Sequence, residues 1–406
     1  MNATLIDGGV TTPAGFVAAG VYCGIKKPTH AWPLDLCLIA STSGPVPSAA
    51  VFTTNLAVAA PVVISREHLQ KAGGLCAGAV VNSGCANAVT GEDGMAVARG
   101  MAIAGAEALG CAPEHIFISS TGVIGVPLSL DKVRAGVTAA KAALSVDGNA
   151  DATLAIMTTD PFPKSCAAYV DTPSGRVTVG GITKGSGMIE PRMATMLGFL
   201  TTDAKVEADV LQQALRTVCD ETFNAITVDG ECSTNDCVLL MASGASGVVI
   251  TDPTDPALVE PLRAVAGHLA REIVRGGEGA TKLVTIRVTG ALSLPDARLA
   301  ARTIANSPLV KTAIHGGDPN WGRLVAAAGR SGAQFVLDRA SVRIGDVDLF
   351  VNGVPHDERA DAAADVLQAK QMTIVVDLGT GGTHEAIMWT CDFSADYVKI
   401  NAEYRT

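Results

Sequence analysis

The chain has 406 residues, 48% apolar and 17% charged, enough for a sizeable core and with little sign of disorder. Its formal net charge of −10 is spread along the chain with no Lys/Arg run, which argues against nucleic-acid binding. No stretch approaches the roughly 18 uninterrupted apolar residues of a bilayer span.

The opening residues show neither a basic n-region nor an apolar h-region, so a cytoplasmic protein is expected. The ten cysteines contain no C-x-x-C pair. In a reducing compartment they read as small buried hydrophobes, with neither a disulfide framework nor a zinc site expected.

In chain order, Ala77–Gly84 reads as a buried strand, followed by an Ala-rich helix from about Gly94 to Leu109 that ends at Gly110. His115–Ser120 reads as a strand that breaks at Thr121-Gly122, and Ser129 suits the N-cap of the next helix. Arg176–Lys184 and Met193–Thr202 read as paired strands around a Gly-rich turn. Helical patterns follow at Ala208–Glu221 and Pro256–Val274.

After Gly276-Gly277 come an alternating strand from Lys282 to Thr289 and a helix at Asp296–Ala305. A hairpin is expected at Ser341–Val351 and a helix at Glu358–Gln371. Met372–Leu378 and Glu385–Thr390 read as a second hairpin around Gly379–Thr383. The expected fold is α/β in packed layers. A sandwich-type domain spans residues 1–283, and a smaller α/β domain, residues 284–406, closes a cleft.

The most unusual stretch is Lys184-Gly-Ser-Gly-Met-Ile-Glu-Pro-Arg-Met-Ala-Thr-Met-Leu197. A phosphate loop lacks support, because no G-x-x-x-x-G-K-[S/T] occurs; a glycine hairpin without chemistry stays open. The small Ala194 before Thr195, at the head of an apolar strand, suggests a different chemistry. A Thr hydroxyl can attack the preceding carbonyl where the backbone is strained and the oxyanion is held. The product is an N-terminal Thr whose α-amine, with a reference pKa of about 7.7–8.0, can take its own hydroxyl's proton. Nucleophile and base then share one residue.

This segment resembles the self-cleavage site of the glutamate N-acetyltransferase family, the ornithine acetyltransferases of arginine biosynthesis. Further segments resemble the family in the family's order. They are Val51-Phe-Thr-Thr-Asn55, Asn82-Ser-Gly-Cys-Ala-Asn-Ala88, Ser120-Thr-Gly-Val-Ile-Gly125 and Met157-Thr-Thr-Asp160, then Val228-Asp-Gly-Glu-Cys-Ser-Thr-Asn-Asp236 and Gly277-Glu-Gly-Ala-Thr-Lys282. Gly317-Asp-Pro-Asn-Trp-Gly-Arg323 and Ile400-Asn-Ala-Glu-Tyr-Arg-Thr406 complete the set.

The resemblance implies cleavage between Ala194 and Thr195, with Thr195 as nucleophile and Thr121 and Gly122 as the oxyanion hole. It places Thr158, Lys184, Thr195, Glu278, Asn401 and Thr406 at the substrates. Lys184 would pair with a carboxylate and Glu278 with ornithine's side-chain ammonium. The implied reaction moves acetyl from N2-acetyl-L-ornithine to L-glutamate by a ping-pong route, and some members also take acetyl-CoA as donor. The implied assembly is α2β2, built from the cleaved fragments. No cofactor or metal is expected.

Two other readings compete: an aminopeptidase or amidase on a related self-cleaving scaffold, and an uncleaved small-molecule binding protein. Cys85 is the competing nucleophile, but no His partner is visible in the sequence. Asp318 and Arg323 are expected as a structural ion pair. Asp229, Asn235 and Asp236 read as braces of a buried turn rather than as metal ligands.

Overall fold

The computed structural model describes residues 2–28, 30–190 and 196–402. The chain packs as two units: Met1–Gly185, Glu190–Asn224 and Cys232–Ile273 in the first, Ser186–Ile189, Ala225–Glu231 and Val274–Thr406 in the second.

The first unit is built on two main sheets. The larger runs Thr4–Ile6, Lys164–Thr172, Gly175–Lys184, Leu197–Thr202, Cys237–Ala242, Val46–Phe52 and Leu75–Cys76 across its width. The smaller runs Phe16–Val21, Leu36–Ser41, Gly78–Cys85 and Ile116–Val123. Successive strand side chains point to opposite faces, so each sheet has an inner and an outer set. Leu197, Phe199 and Leu239 of the large sheet share one buried core with Cys37, Ile39 and Phe117 of the small one.

The outward residues Leu36, Leu38, Ile116 and Ile118 pack on the helices Ala60–Lys71, Gly91–Leu109 and Leu130–Ala143. On the far side, Leu200 meets Val265 and Leu269 of the helix Pro256–Arg275 around Gly181. The result is a helix–sheet–sheet–helix sandwich, in keeping with the layered α/β fold read from the sequence. The cap at Ser129 forms as expected, its hydroxyl accepting from Lys132 N. Gly110 closes the preceding helix in a left-handed conformation. Ala208–Glu221 is helical, burying Leu211, Ala214, Leu215, Val218 and Cys219 at helical spacing.

The second unit is a six-stranded sheet, in the order Val354–Pro355, Val347–Val351, Ser341–Ile344, Gln371–Asp377, Leu283–Ala291, His384–Cys391. The expected hairpin between the strands beginning near 372 and 385 does not exist. Leu283–Ala291 lies between them, parallel to Gln371–Asp377 and antiparallel to His384–Cys391. The connecting residues 378–383 are long enough to step over one strand, and alternation alone cannot name a strand's partner. The expected Glu358–Gln371 helix is shorter, a 3-10 turn at Asp357–Arg359 followed by Ala360–Leu367. Arg323 does not pair with Asp318; it donates to Leu309 O at 2.7 Å. Among the described residues no helix is long and apolar enough to cross a membrane.

Candidate active site

The strand Ile116–Val123 lies parallel to Gly78–Cys85, and their pairing slips at Gly84/Cys85, opposite Thr121 and Gly122. Such a bulge re-aims a strand end. Gly122 has φ +131°, and a Cβ there would stand 2.3 Å from Gly84 C and 2.6 Å from Cys85 N. Only glycine fits a backbone so placed. On the oxyanion role expected for Gly122, changing Gly122→Ala should displace the strand end and cost roughly 100-fold in turnover. Steady-state kinetics on the purified variant checks this.

Thr121 is buried, and its hydroxyl oxygen accepts from Lys184 Nζ at 3.2 Å. With that lone pair engaged, the hydroxyl hydrogen can be turned to a second acceptor. The structure thus brings two of the expected site residues into direct contact, although they lie on different sheets.

Asp160 gathers two more. Its Oδ2 accepts from Thr158 N at 3.0 Å, and its Oδ1 from Gly185 N, beside Lys184, at 2.8 Å. Oδ1 also meets Lys164 Nζ at 2.6 Å, with both side chains fully buried. Burial opposes ionisation of Asp160. The charges of Lys164 and Lys184 and the bonds from Lys164 and Gly185 outweigh it and hold the carboxyl well below the usual range.

Lys26 donates to Trp32 O, Leu34 O and Met157 O at 3.0, 2.8 and 2.6 Å. Burial pushes its ammonium down to about 8, with Lys184 adding to the push and Asp35 opposing it. Nothing in the sequence pointed to Lys26 or Lys164. Asp160 lay inside a family-like segment, but without a role. Buried charges such as these are visible only once partners from distant segments meet.

Asn235 braces the neighbourhood, as its sequence reading suggested. Asn235 Nδ2 donates to Ala86 O at 2.6 Å and to Ser120 O at 2.9 Å. Asp236 is buried, and among the described residues its Oδ2 has no hydrogen-bond partner. Burial pushes its carboxyl well above the usual range, against the Ser233 hydroxyl and the Lys184 charge. A carboxyl raised on folding stabilises fully below its unfolded pKa of about 3.9, and that stability is lost as pH rises through the folded value. Asp236→Asn, which cannot ionise, is thus expected to gain in melting temperature over the unsubstituted chain as pH rises from 5 to 8. Thermal scans across that range measure the gap.

In the second unit, Glu278 is buried and Asn401 Nδ2 donates to its Oε2 at 2.9 Å. Asn401 sits in the helix Ala395–Ala402. A Cβ on Gly187 would come 2.4 Å from Glu278 Oε2, so a side chain there would push that carboxylate from its place. Asp229 accepts from Met188 N and Ile189 N at 2.7 and 2.8 Å, and Tyr397 OH lies 3.3 Å away. Met188 holds a positive φ of 56° within this brace.

Cys85 is buried, with its thiol donating to Val126 O and its pKa raised by burial, which disfavours it as a nucleophile. Ala194, Thr195 and Thr406 lie outside the described residues.

The ArgJ family model matches residues 17–406. The chain belongs to the ArgJ family. It is 52% identical over 404 residues to the arginine biosynthesis bifunctional protein ArgJ of Symbiobacterium thermophilum, covering 99% of each. It is 46% identical over 395 residues to the ArgJ of Chlorobaculum tepidum, covering 97% of this chain and 96% of that one. A solved ArgJ structure from Bacillus halodurans aligns with 50% of this chain and 97% of its own, at 40% identity and a TM-score of 0.49. The ArgJ relatives match over nearly the whole chain, so the segments carrying Thr121, Lys184 and Glu278 all fall inside the family match.

Proposed function

We propose that this chain is a bifunctional acetyltransferase of arginine biosynthesis, matured by cleavage between Ala194 and Thr195. In the maturation step the Thr195 hydroxyl adds to the Ala194 carbonyl carbon and the peptide C–N bond breaks. The nitrogen keeps the hydroxyl's proton, and water then hydrolyses the resulting ester. Ala194 ends as a carboxylate, and Thr195 begins a new chain with a free α-amine.

In transfer, that amine takes the Thr195 hydroxyl proton as the oxygen attacks the acetyl carbonyl of N2-acetyl-L-ornithine. The Thr121 hydroxyl and the Gly122 N–H stabilise the oxyanion. Ornithine leaves with the proton, and an acetyl ester stays on Thr195. The α-amine of L-glutamate then attacks that ester and releases N-acetyl-L-glutamate. Acetyl-CoA loads the same ester in the second activity, with the thiol leaving instead. Lys184 receives the substrate carboxylate, and Glu278, held by Asn401, receives ornithine's ammonium.

The observation that carries this reading is the Lys184–Thr121 bond beside Gly122. It supports the reading by setting a cation beside Thr121 and Gly122, the two residues proposed to hold the oxyanion, at one strand end. The strand order supports retention of both fragments after cleavage. Leu197–Thr202 and Cys237–Ala242 lie between strands from the other side of the cut, Gly175–Lys184 and Val46–Phe52. The α2β2 assembly that the family resemblance implies would hold two such pairs.

The test is mass spectrometry of active protein given acetyl-ornithine. A new amino terminus at position 195 carrying one added acetyl group is expected, and its absence would overturn the reading. Acetyl-ornithine hydrolysed at an equal rate with and without glutamate would favour an amidase instead. Acetyl-CoA compared with acetyl-ornithine as donor to glutamate measures the second activity.

A further inference from the structure

We infer that Asn235 is a positioning residue for acetyl transfer, a side-chain clamp that fixes the strand led by the nucleophile against the strand that ends in the oxyanion pair. The inference rests on Thr195 being the nucleophile and on Thr121 and Gly122 holding the oxyanion.

The two groups belong to different sheets. Thr121 and Gly122 end a strand of the four-stranded sheet, whereas Leu197–Thr202 lies in the seven-stranded one. Between the sheets lies an apolar core. Apolar packing is non-directional and proportional to area, so it does not set a donor's position to tenths of an ångström. Oxyanion stabilisation requires that accuracy.

Asn235 supplies a directed link at the relevant end. Both amide hydrogens are used, one on Ala86 O and one on Ser120 O, the residue before Thr121. Its Oδ1 accepts from Thr234 Oγ1 at 2.6 Å, which fixes which end of the amide faces the carbonyls. Asn235 is 5% exposed, so water does not compete for these bonds.

The backbone around it is pinned to the other side. Two residues on, Cys237 N donates to Met196 O at 3.1 Å, one residue after Thr195, and the strand runs on parallel to Leu197–Thr202. Thr53 N donates to Asp236 O at 2.9 Å, and Ala59 N to Thr234 O at 3.0 Å. The Ser120 hydroxyl donates in turn to Asn82 Oδ1 at 2.5 Å, and Asn82 Nδ2 to Cys85 O at 2.9 Å, which ties in the bulge opposite Gly122. One amide thus spans the gap whose width decides whether the oxyanion meets its donors.

Asn235→Asp keeps the size but loses the paired donors, and Thr234→Val keeps the shape but frees the amide to turn. Ser119→Ala is the control, because Ser119 Oγ makes a buried polar contact across the same gap, with Cys237 Sγ at 3.5 Å. Rates are taken per cleaved chain, for acetyl transfer from acetyl-ornithine to glutamate.

Displacing a reacting group by about an ångström costs on the order of 100-fold. Asn235→Asp is therefore expected to lose about 10- to 100-fold in kcat, and Thr234→Val about 3- to 10-fold, with KM for acetyl-ornithine within about threefold in both. Ser119→Ala should keep kcat within about twofold despite its lost contact. If Asn235→Asp does not fold, Thr234→Val decides. The clamp is overturned if the folded variants turn over at the unsubstituted kcat, if the loss falls on KM alone, or if Ser119→Ala slows transfer equally. An unsubstituted chain that is neither cut at 195 nor acetylated there would instead sink the functional reading beneath it.

Discussion

A chain carrying Thr195→Ala is expected to run as a single full-length band on a denaturing gel and to transfer no acetyl group. The unsubstituted chain should give two fragments of similar size, 1–194 and 195–406. Both losses have one cause. In the proposed mechanism, the hydroxyl that opens the Ala194 carbonyl later carries the acetyl group, and cleavage alone provides the α-amine that serves as its base. Thr195→Ser separates the hydroxyl from the rest of the side chain. It should keep a measurable part of both cleavage and transfer. A Thr195→Ala chain that is still cut at this bond, or still acetylates glutamate, removes Thr195 from the mechanism.

The second large effect is expected at Asp160. Asp160→Asn leaves the ammonium of Lys164 buried and uncompensated, a class of change that costs about 3–5 kcal/mol. At roughly 2–4 °C per kcal/mol for a domain of this size, the melting temperature should fall on the order of 10 °C. The sign with pH follows from the depressed carboxyl. Asp160 contributes stability above its unfolded pKa, and that contribution is lost as pH falls through the folded value. The unsubstituted chain should therefore lose its advantage over Asp160→Asn only in strong acid.

The double variant Asp160→Asn with Lys164→Met separates stability from function. Replacing a buried ion pair with apolar or neutral groups is often neutral for stability, so most of the melting temperature should return. Activity should not, because Thr158 and Gly185 still lack the carboxylate that holds them. Thermal scans and acetyl-transfer kinetics on the three proteins test both halves. Full activity in the double variant would show that the anchor is dispensable.

The elements with strong local signals were legible without coordinates. Ala208–Glu221 repeats its apolar residues at helical spacing, Ser129 offers a cap oxygen, and Gly175–Lys184 pairs with Leu197–Thr202. The strand at Gln371–Asp377 was equally visible, but its partner was not. Alternating residues announce a half-buried strand, whereas pairing depends on which chain segment reaches its edge first. Lys26 and Lys164 went unnoticed for a related reason. A lysine is mostly exposed, and only carbonyls and a carboxylate brought from elsewhere make its burial tolerable.

The sequence by itself carried the family and the layered α/β class, and it named a candidate nucleophile and candidate substrate positions. These rest on residue identity and order along the chain. Only the tertiary structure decided that Lys184 touches Thr121, that Asp160 gathers Thr158 and Gly185, and that Asn235 bridges the two sheets. Hydrogen bonds act over about 3 Å, and the Lys184–Thr121 and Asn235–Ala86 bonds join residues 63 and 149 positions apart, a proximity that no local pattern encodes.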